Sequence, residues 1–171
     1  MKMEAIDLYA IWDLDNCLAD DRARIKLINW GAADPTERYR DYHAACAEDP
    51  ARNTDTFHTV TQFARPVFFT GRPEAVRGET AGWVRGELSV RQPPLLMRRP
   101  GDSRPSVLVK QEMVLLYMRY LAGEAPRAQG LCWGAFDDRP EIVEMYRRCG
   151  LNAALLSIHS VCAYTAPKAA K

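Results

Sequence analysis

Asp13 and Asp15 follow an apolar run directly in the stretch YAIWDLDNCLAD, residues 9–20, and Asp20 and Asp21 come soon after. Carboxylates gathered at the end of a buried strand repel one another, so folding alone gives no reason to collect them. A bound cation or a chemical task does. Three more segments deliver polar residues close to an apolar run. FFTGRP carries Thr70, Gly71 and Arg72; SVLVK brings Lys110 to the opening of a long helix; and AFDDRP carries Asp137, Asp138 and Arg139. Each segment alone is weak. D-x-D arises by chance, T-G-R reads as a turn, Lys110 as a solvated helix-start lysine, and Asp138 as a helix cap ahead of Pro140. The ordered set, with each member delivered to one predicted crevice, is what carries weight.

The elements that must position these residues are short apolar runs alternating with helical stretches. Strands are expected at 6–12, 66–70, 95–97, 131–136 and 153–158. Val76, Thr80, Trp83 and Val84 share one helical face, and Pro73 sits near that helix's start. Met113, Leu116, Tyr117, Tyr120 and Leu121 form a second stripe. Ile142, Met145, Tyr146 and Cys149 form a third, closed by Gly150 as a C-cap. This alternation predicts an α/β fold: a parallel sheet with helices on both faces. Ligands bind such sheets beyond the carboxyl ends of the strands.

Residues 18–64 break the rhythm. They are polar, carry Trp30, Tyr39, Tyr42, His43 and Phe57, and are interrupted at Gly31, Pro35 and Pro50. They read as a small helical insert after the first strand, within one domain spanning residues 1–171. A lid over the site and a plain packing helix pair are both open for it.

Bulk properties exclude several classes. Lys plus Arg number 23 against 22 Asp plus Glu, so no overall field demands nucleic acid or a membrane surface. Five scattered cysteines without a C-x-x-C pair suit reduced thiols in the cytoplasm. Neither a signal peptide nor a membrane span is expected from the N-terminus, where Glu4 and Asp7 interrupt the apolar stretch. The closing APKAAK reads as a frayed tail.

With DLDNC, FTGR, Lys110 and DD in order, the sequence resembles the haloacid dehalogenase-like (HAD) phosphatases across most of its length. The three stretches FFTGRPEAVRGETAGWV, LLMRRPGDSRPSVLVK and FDDRPEIVEMYRRCGL are most similar to the phosphatase domain of polynucleotide kinase-phosphatase and its stand-alone phage and bacterial relatives. The fold this implies is a three-layer, Rossmann-like sheet with a small cap. No G-x-x-x-x-G-K-[ST] loop is present, so the kinase half is not expected in this chain.

The resemblance implies roles for the motif residues. Asp13 is the nucleophile that forms an aspartyl-phosphate, and Asp15 is the acid that becomes the base. Spacing by two would keep both carboxylates on one side of an extended backbone. Magnesium, a hard cation that tolerates water and phosphate oxygens, is the expected cofactor. Its expected protein ligands are Asp13, the Asp15 backbone carbonyl and Asp137, with Asp138 assisting. Thr70, Gly71, Arg72, Lys110 and Arg139 are the expected phosphate- and substrate-binding residues. Cys17 stands where relatives carry Thr or Val and is read as a packing residue, with a redox-sensitive thiol as the alternative. Asn16 stands where many carry Gly.

Arginines 22, 24, 98, 99 and 104 also gather near the motifs. Guanidinium groups suit phosphate oxygens and stack on bases. Trp30, Tyr42, His43 and Phe57 are candidates to stack on a nucleobase. The leading expectation is a magnesium-dependent phosphomonoesterase acting on a nucleotide or nucleic-acid end, favoured as a polynucleotide 3′-phosphatase. A 5′-deoxynucleotidase is the alternative. Asp15 argues against a dehalogenase, which needs no acid there, and against a phosphate-transporting ATPase, which typically has Thr. A phosphomutase would need a cap that keeps water from the aspartyl-phosphate. A non-catalytic binding module is disfavoured because every motif carboxylate is present.

Overall fold

The computed structural model describes residues 8–124 and 132–158. The expected strand starts at Ile6 and Leu131, together with Cys162 and the tail, lie outside them. Five strands form one parallel sheet: β1 (Tyr9–Trp12), β2 (Arg65–Pro73), β3 (Leu95–Arg98), β4 (Cys132–Asp137) and β5 (Ala153–Leu155), in the order β3-β2-β1-β4-β5. All five expected strands are present. In register, Ile11 lies between Val67 and Ala135, and Trp12 between Phe68 and Phe136.

Both faces of β1 are buried, as a central parallel strand requires. Ala10 and Trp12 enter one core with Phe68, Phe136, Trp83 and Val84. Ile11 enters the other with Val67, Phe69, Met113, Ile142 and Tyr146. The first core is closed by α3 (Thr54–Thr61) and α4 (Arg77–Glu87), the second by α5 (Ser106–Glu124) and α6 (Pro140–Arg148). The result is a three-layer sandwich.

Val76, Thr80, Trp83 and Val84 are all buried, as their spacing predicts. On α6, Ile142, Met145 and Tyr146 are buried and Cys149 partly so. Gly150 ends α6 at φ +84°, and its N–H reaches the Arg147 carbonyl at 2.9 Å. On α5 the expected stripe is shifted. Met113, Tyr117 and Leu121 are buried, but Leu116 is 41% and Tyr120 55% exposed. α5 is apolar on nearly every side, so periodicity underdetermines its orientation. Its buried stripe instead runs through Val109, Lys110, Val114, Tyr117 and Leu121, the face that points Lys110 inward.

Residues 18–64 contain 3-10 turns at Asp21–Ala23, Ile25–Leu27 and Ala45–Glu48, the short helices α1 (Pro35–Arg38) and α2 (Arg40–Ala44), and α3. They divide by role. α3 is part of the layer on the sheet: Phe57 is 1% exposed, its ring centroid 5.1 Å from that of Trp12 and 6.1 Å from that of Phe68. Phe57 is therefore core and cannot stack on a base. Its i+3 partner Val60 shares that buried face, which is why an aromatic in this polar stretch is structural. The described cysteines 17, 46, 132 and 149 are free, and Cys17 is fully buried in the first core, in keeping with a packing role. Among the described residues no helix is long and apolar enough to cross a membrane.

Phe57→Ala should cost about 3–5 kcal/mol of stability, because it opens a cavity beneath Trp12 that the rigid sheet cannot close. Urea unfolding followed by tryptophan fluorescence measures it; a loss under about 1 kcal/mol would show that α3 does not pin this stretch to the sheet.

Candidate active site

The chain leaves β1 toward β2 on one side and reaches β4 on the other, so the loops beyond β1 diverge and open a crevice. The β1–β4 ladder continues one bond further, the Asp13 N–H donating to the Phe136 carbonyl at 2.9 Å. The Leu14 carbonyl then accepts N–H bonds from Cys17, Leu18 and Ala19 at 3.1, 2.9 and 2.8 Å. This tight loop takes Asn16 to φ +62°, a left-handed conformation that asparagine tolerates better than most residues.

β1 ends at Trp12, so strand alternation does not reach the two aspartates and is not what places them. They belong to two separate charge clusters. In the first, the Lys110 ammonium lies 2.6 Å from Asp13 and 2.7 Å from Asp137, and all three residues are buried. Asp138 completes a carboxylate group: Asp13, Asp137 and Asp138 each offer an oxygen within 4.8 Å of the others. Burial and the neighbouring Asp137 and Asp138 push the Asp13 carboxyl up, against the pull of Lys110. Burial and Asp137 raise Asp138 to about 6. Burial alone would lower Lys110, but Asp13 and Asp137 outweigh it and hold its ammonium charged. One lysine against three close carboxylates leaves negative charge in excess, and hard oxygen donors so spaced suit a divalent cation.

The second cluster surrounds Asp15. Its Oδ1 accepts from Arg72 Nε at 2.9 Å and Nη2 at 2.6 Å, and from Arg24 Nη2. Burial would raise this carboxyl, but Arg72 and Arg24 together hold it well below the usual range. The Asp15 side chain thus faces arginines and stands apart from the three-carboxylate group. Arg72 is fully buried, and its Nη1 has no hydrogen-bond partner among the described residues.

The other expected site residues are placed as follows. Thr70 is fully buried beneath the crevice, its Oγ1 accepting the Arg72 N–H at 3.2 Å. The Gly71 carbonyl accepts from Arg98 Nε at 3.2 Å. Arg139 gives only its backbone to the cluster, donating N–H to Asp137 Oδ1 at 3.1 Å; its half-exposed side chain pairs with Glu141. Asp20 and Asp21 serve the insert. Asp20 pairs with Arg22 and Arg52, and Asp21 accepts from the Tyr42 hydroxyl at 2.6 Å.

Of the aromatic candidates, Tyr42 is buried with Arg24 stacked 4.0 Å above its ring, and Trp30 is 67% exposed against Tyr39. His43 lies in the fields of Asp15, Arg24, Arg72 and Arg98, and burial lowers it to about 4, so its imidazole is neutral. Asp49 carried no sequence signal beyond the Pro50 that follows it, yet it is buried against both arginines.

The parallel α/β sheet in this order matches the fold of HAD-like hydrolases of known structure. The fold is similar to that of a chain of the Pnkp1/Rnl/Hen1 RNA repair complex, at 21% identity and TM-score 0.61, with 88% of this chain aligned to 42% of that one. This chain thus spans less than half the length of that relative. A haloacid dehalogenase-like family hydrolase from Streptococcus pneumoniae aligns over 87% of this chain and 84% of its own, at 11% identity and TM-score 0.57. A hydrolase from Streptococcus pneumoniae TIGR4 aligns over 90% and 94%, at 15% identity and TM-score 0.51. No curated protein matches the sequence significantly. The family described as the polynucleotide kinase PNKP phosphatase domain matches residues 10–156, and the chain belongs to it. The chain is accordingly a phosphatase domain of that family.

Lys110→Met should destabilise the fold by about 3–5 kcal/mol, since it strands buried carboxylates without their cation. Denaturant unfolding in chelator-containing buffer is the measurement; unchanged stability would mean that Lys110 does not balance this cluster.

Proposed function

We propose that the protein is a magnesium-dependent phosphomonoesterase that works through an aspartyl-phosphate on Asp13, with a 3′-phosphorylated nucleic-acid end as its substrate. One observation carries the reading: the buried Lys110 sits between Asp13 and Asp137, with Asp138 alongside. Asp13, Asp137, Asp138 and the Asp15 backbone carbonyl are the groups that would hold the metal. When bound, it neutralises charge on the phosphoryl oxygens.

The chain's own residues then divide the work. A dianionic phosphate repels an anionic nucleophile, and Lys110 offsets that repulsion. The Asp13 carboxylate attacks phosphorus, and the bond from phosphorus to the ester oxygen breaks. Asp15 gives that oxygen its proton and so becomes a carboxylate. It then takes a proton from the water that attacks phosphorus, which releases inorganic phosphate and regenerates Asp13. Held by two guanidiniums, Asp15 is in the form that activates water. As the acid it takes up a proton when the incoming phosphate dianion shares the same two guanidiniums, which stay in place and no longer hold the carboxyl down alone. Thr70, the Gly71 backbone and the Arg72 guanidinium are the groups that would orient the phosphoryl oxygens.

Residues 18–64 act as a small cap within one domain. Through Arg24, Tyr42 and His43 they form the wall of the Asp15 side of the crevice. Membership of a polynucleotide phosphatase family and the likeness to a chain of an RNA repair complex support a nucleic-acid end as substrate. The near balance of charge, net +1, favours a short end or a mononucleotide over a long duplex, which keeps a 5′-deoxynucleotidase as the second reading. Free cysteines suit a cytoplasmic site of action.

With magnesium, a 3′-phosphorylated oligonucleotide should be dephosphorylated faster than any of a panel of nucleoside 5′-monophosphates; the reverse ranking would favour the nucleotidase, and turnover of neither would remove the nucleotide claim. EDTA should stop the reaction and magnesium restore it. Asp13→Ala and Asp15→Ala should abolish turnover while circular dichroism stays native, and Lys110→Ala should cost roughly 10²-fold or more. Acid quench during turnover should trap one phosphoryl group on the peptide bearing Asp13. A quench that never labels that peptide would refute the covalent step.

A further inference from the structure

We propose that Asp49 is a positioning residue for Asp15, acting by tying together the two arginines that hold it. The inference rests on the proposed acid–base role of Asp15. Asp49 accepts from Arg24 Nε at 2.9 Å and lies 2.8 Å from Arg24 Nη2 and 3.2 Å from Arg72 Nη2. Its side chain is 3% exposed against 19% for Asp15. Asp49 is thus more deeply buried than Asp15 while sharing both of its arginines.

The charges explain the need for it. The Arg24 and Arg72 side chains are 3% and 0% exposed, and both converge on one oxygen of Asp15. Two buried like charges sharing a single carboxylate repel each other strongly in a low-dielectric crevice. Asp49 makes the set neutral, two cations against two anions, and each guanidinium then contacts both carboxylates. Arg72 is fixed by β2, so without Asp49 the arginine of the insert, Arg24, is the less firmly held, resting on Asp15 and on the Tyr42 carbonyl and ring. One of the two anchors of Asp15 would then be loosened.

Asp49 is itself rigidly held. Pro50 restricts it to the extended conformation it adopts, φ −66° and ψ 132°, and its carbonyl accepts the Trp83 indole N–H at 2.7 Å. Trp83 belongs to α4, so the anchor for Asp15 runs from the core helix through Asp49 to both arginines. The same bonds commit Nε and Nη2 of Arg72 to Asp15 and Asp49.

The test separates a positioning role from a structural one by the leaving group. p-Nitrophenolate departs without a proton, whereas a sugar alkoxide needs one from Asp15. Asp49→Asn should therefore lower kcat for the 3′-phosphorylated oligonucleotide, or the nucleoside monophosphate if that is what the wild type hydrolyses, at least about tenfold more than kcat for p-nitrophenyl phosphate. KM should change little. In an Asp15→Asn background, read as first-turnover release of the leaving group because the later hydrolysis is blocked, the same substitution should add no further leaving-group selectivity. Equal losses on both esters, or losses that multiply in the double variant, would overturn the proposal. If Asp15→Asn alone shows no leaving-group dependence, the acid role of Asp15 is what has failed, and the proposal fails with it. Should Asp49→Asn not fold, Asp49→Glu keeps the charge but displaces the carboxylate by one methylene; it should show the same selective loss, and a uniform loss would overturn the idea.

Discussion

The structure is organised around one ammonium group in a place where water cannot help it. Lys110 is 2% exposed and sits within 2.7 Å of both Asp13 and Asp137. Neither the lysine nor the carboxylates would be stable there alone, because an unpaired buried charge costs several kcal/mol. That mutual need fixes the rotation of α5, and through it the face that α5 lays on the sheet. It also aligns β1 with β4, since Asp13 follows Trp12, which pairs with Phe136, the residue before Asp137.

A second set of charges follows the same rule on the other side of β1. Asp15, Asp49, Arg24 and Arg72 form a neutral quartet drawn from the first motif loop, the insert and β2. The first cluster is anionic overall and suits a cation. The second is balanced and holds the Asp15 carboxylate on two guanidiniums. In the proposed reaction a phosphoryl group arriving between them would meet lysine on one side and guanidinium on the other. Two aspartates two residues apart in sequence thus have different surroundings.

The insert draws its position from both layers. Phe57 ties α3 into the core beside Trp12, while Arg24, Tyr42 and His43 reach the crevice. A segment that looked polar and irregular thus contains one anchor and one wall. Tyr42 supports Arg24 from below, so this aromatic serves the site without touching a base.

The five strands, the parallel sheet with helices on both faces and the motif carboxylates at the strand ends were legible in the sequence because each depends on local signals. Apolar runs, helical periods and glycine or proline breaks report burial directly, and the motif carboxylates stand at the ends of those runs. Asp49 was not legible, because a lone aspartate before proline looks like any turn. The exposure of Leu116 and Tyr120 was not legible either, because a helix apolar all round has no preferred face until a partner is present. The separation of Asp13 from Asp15 depended on where β1 stops and on the left-handed Asn16, neither of which strand alternation predicts. The sequence by itself determined which elements form and which charged residues lie at their ends. Tertiary structure alone decided how those charges pair, since a buried charge is settled by whichever opposite charge the packed elements bring within reach, however distant in the chain.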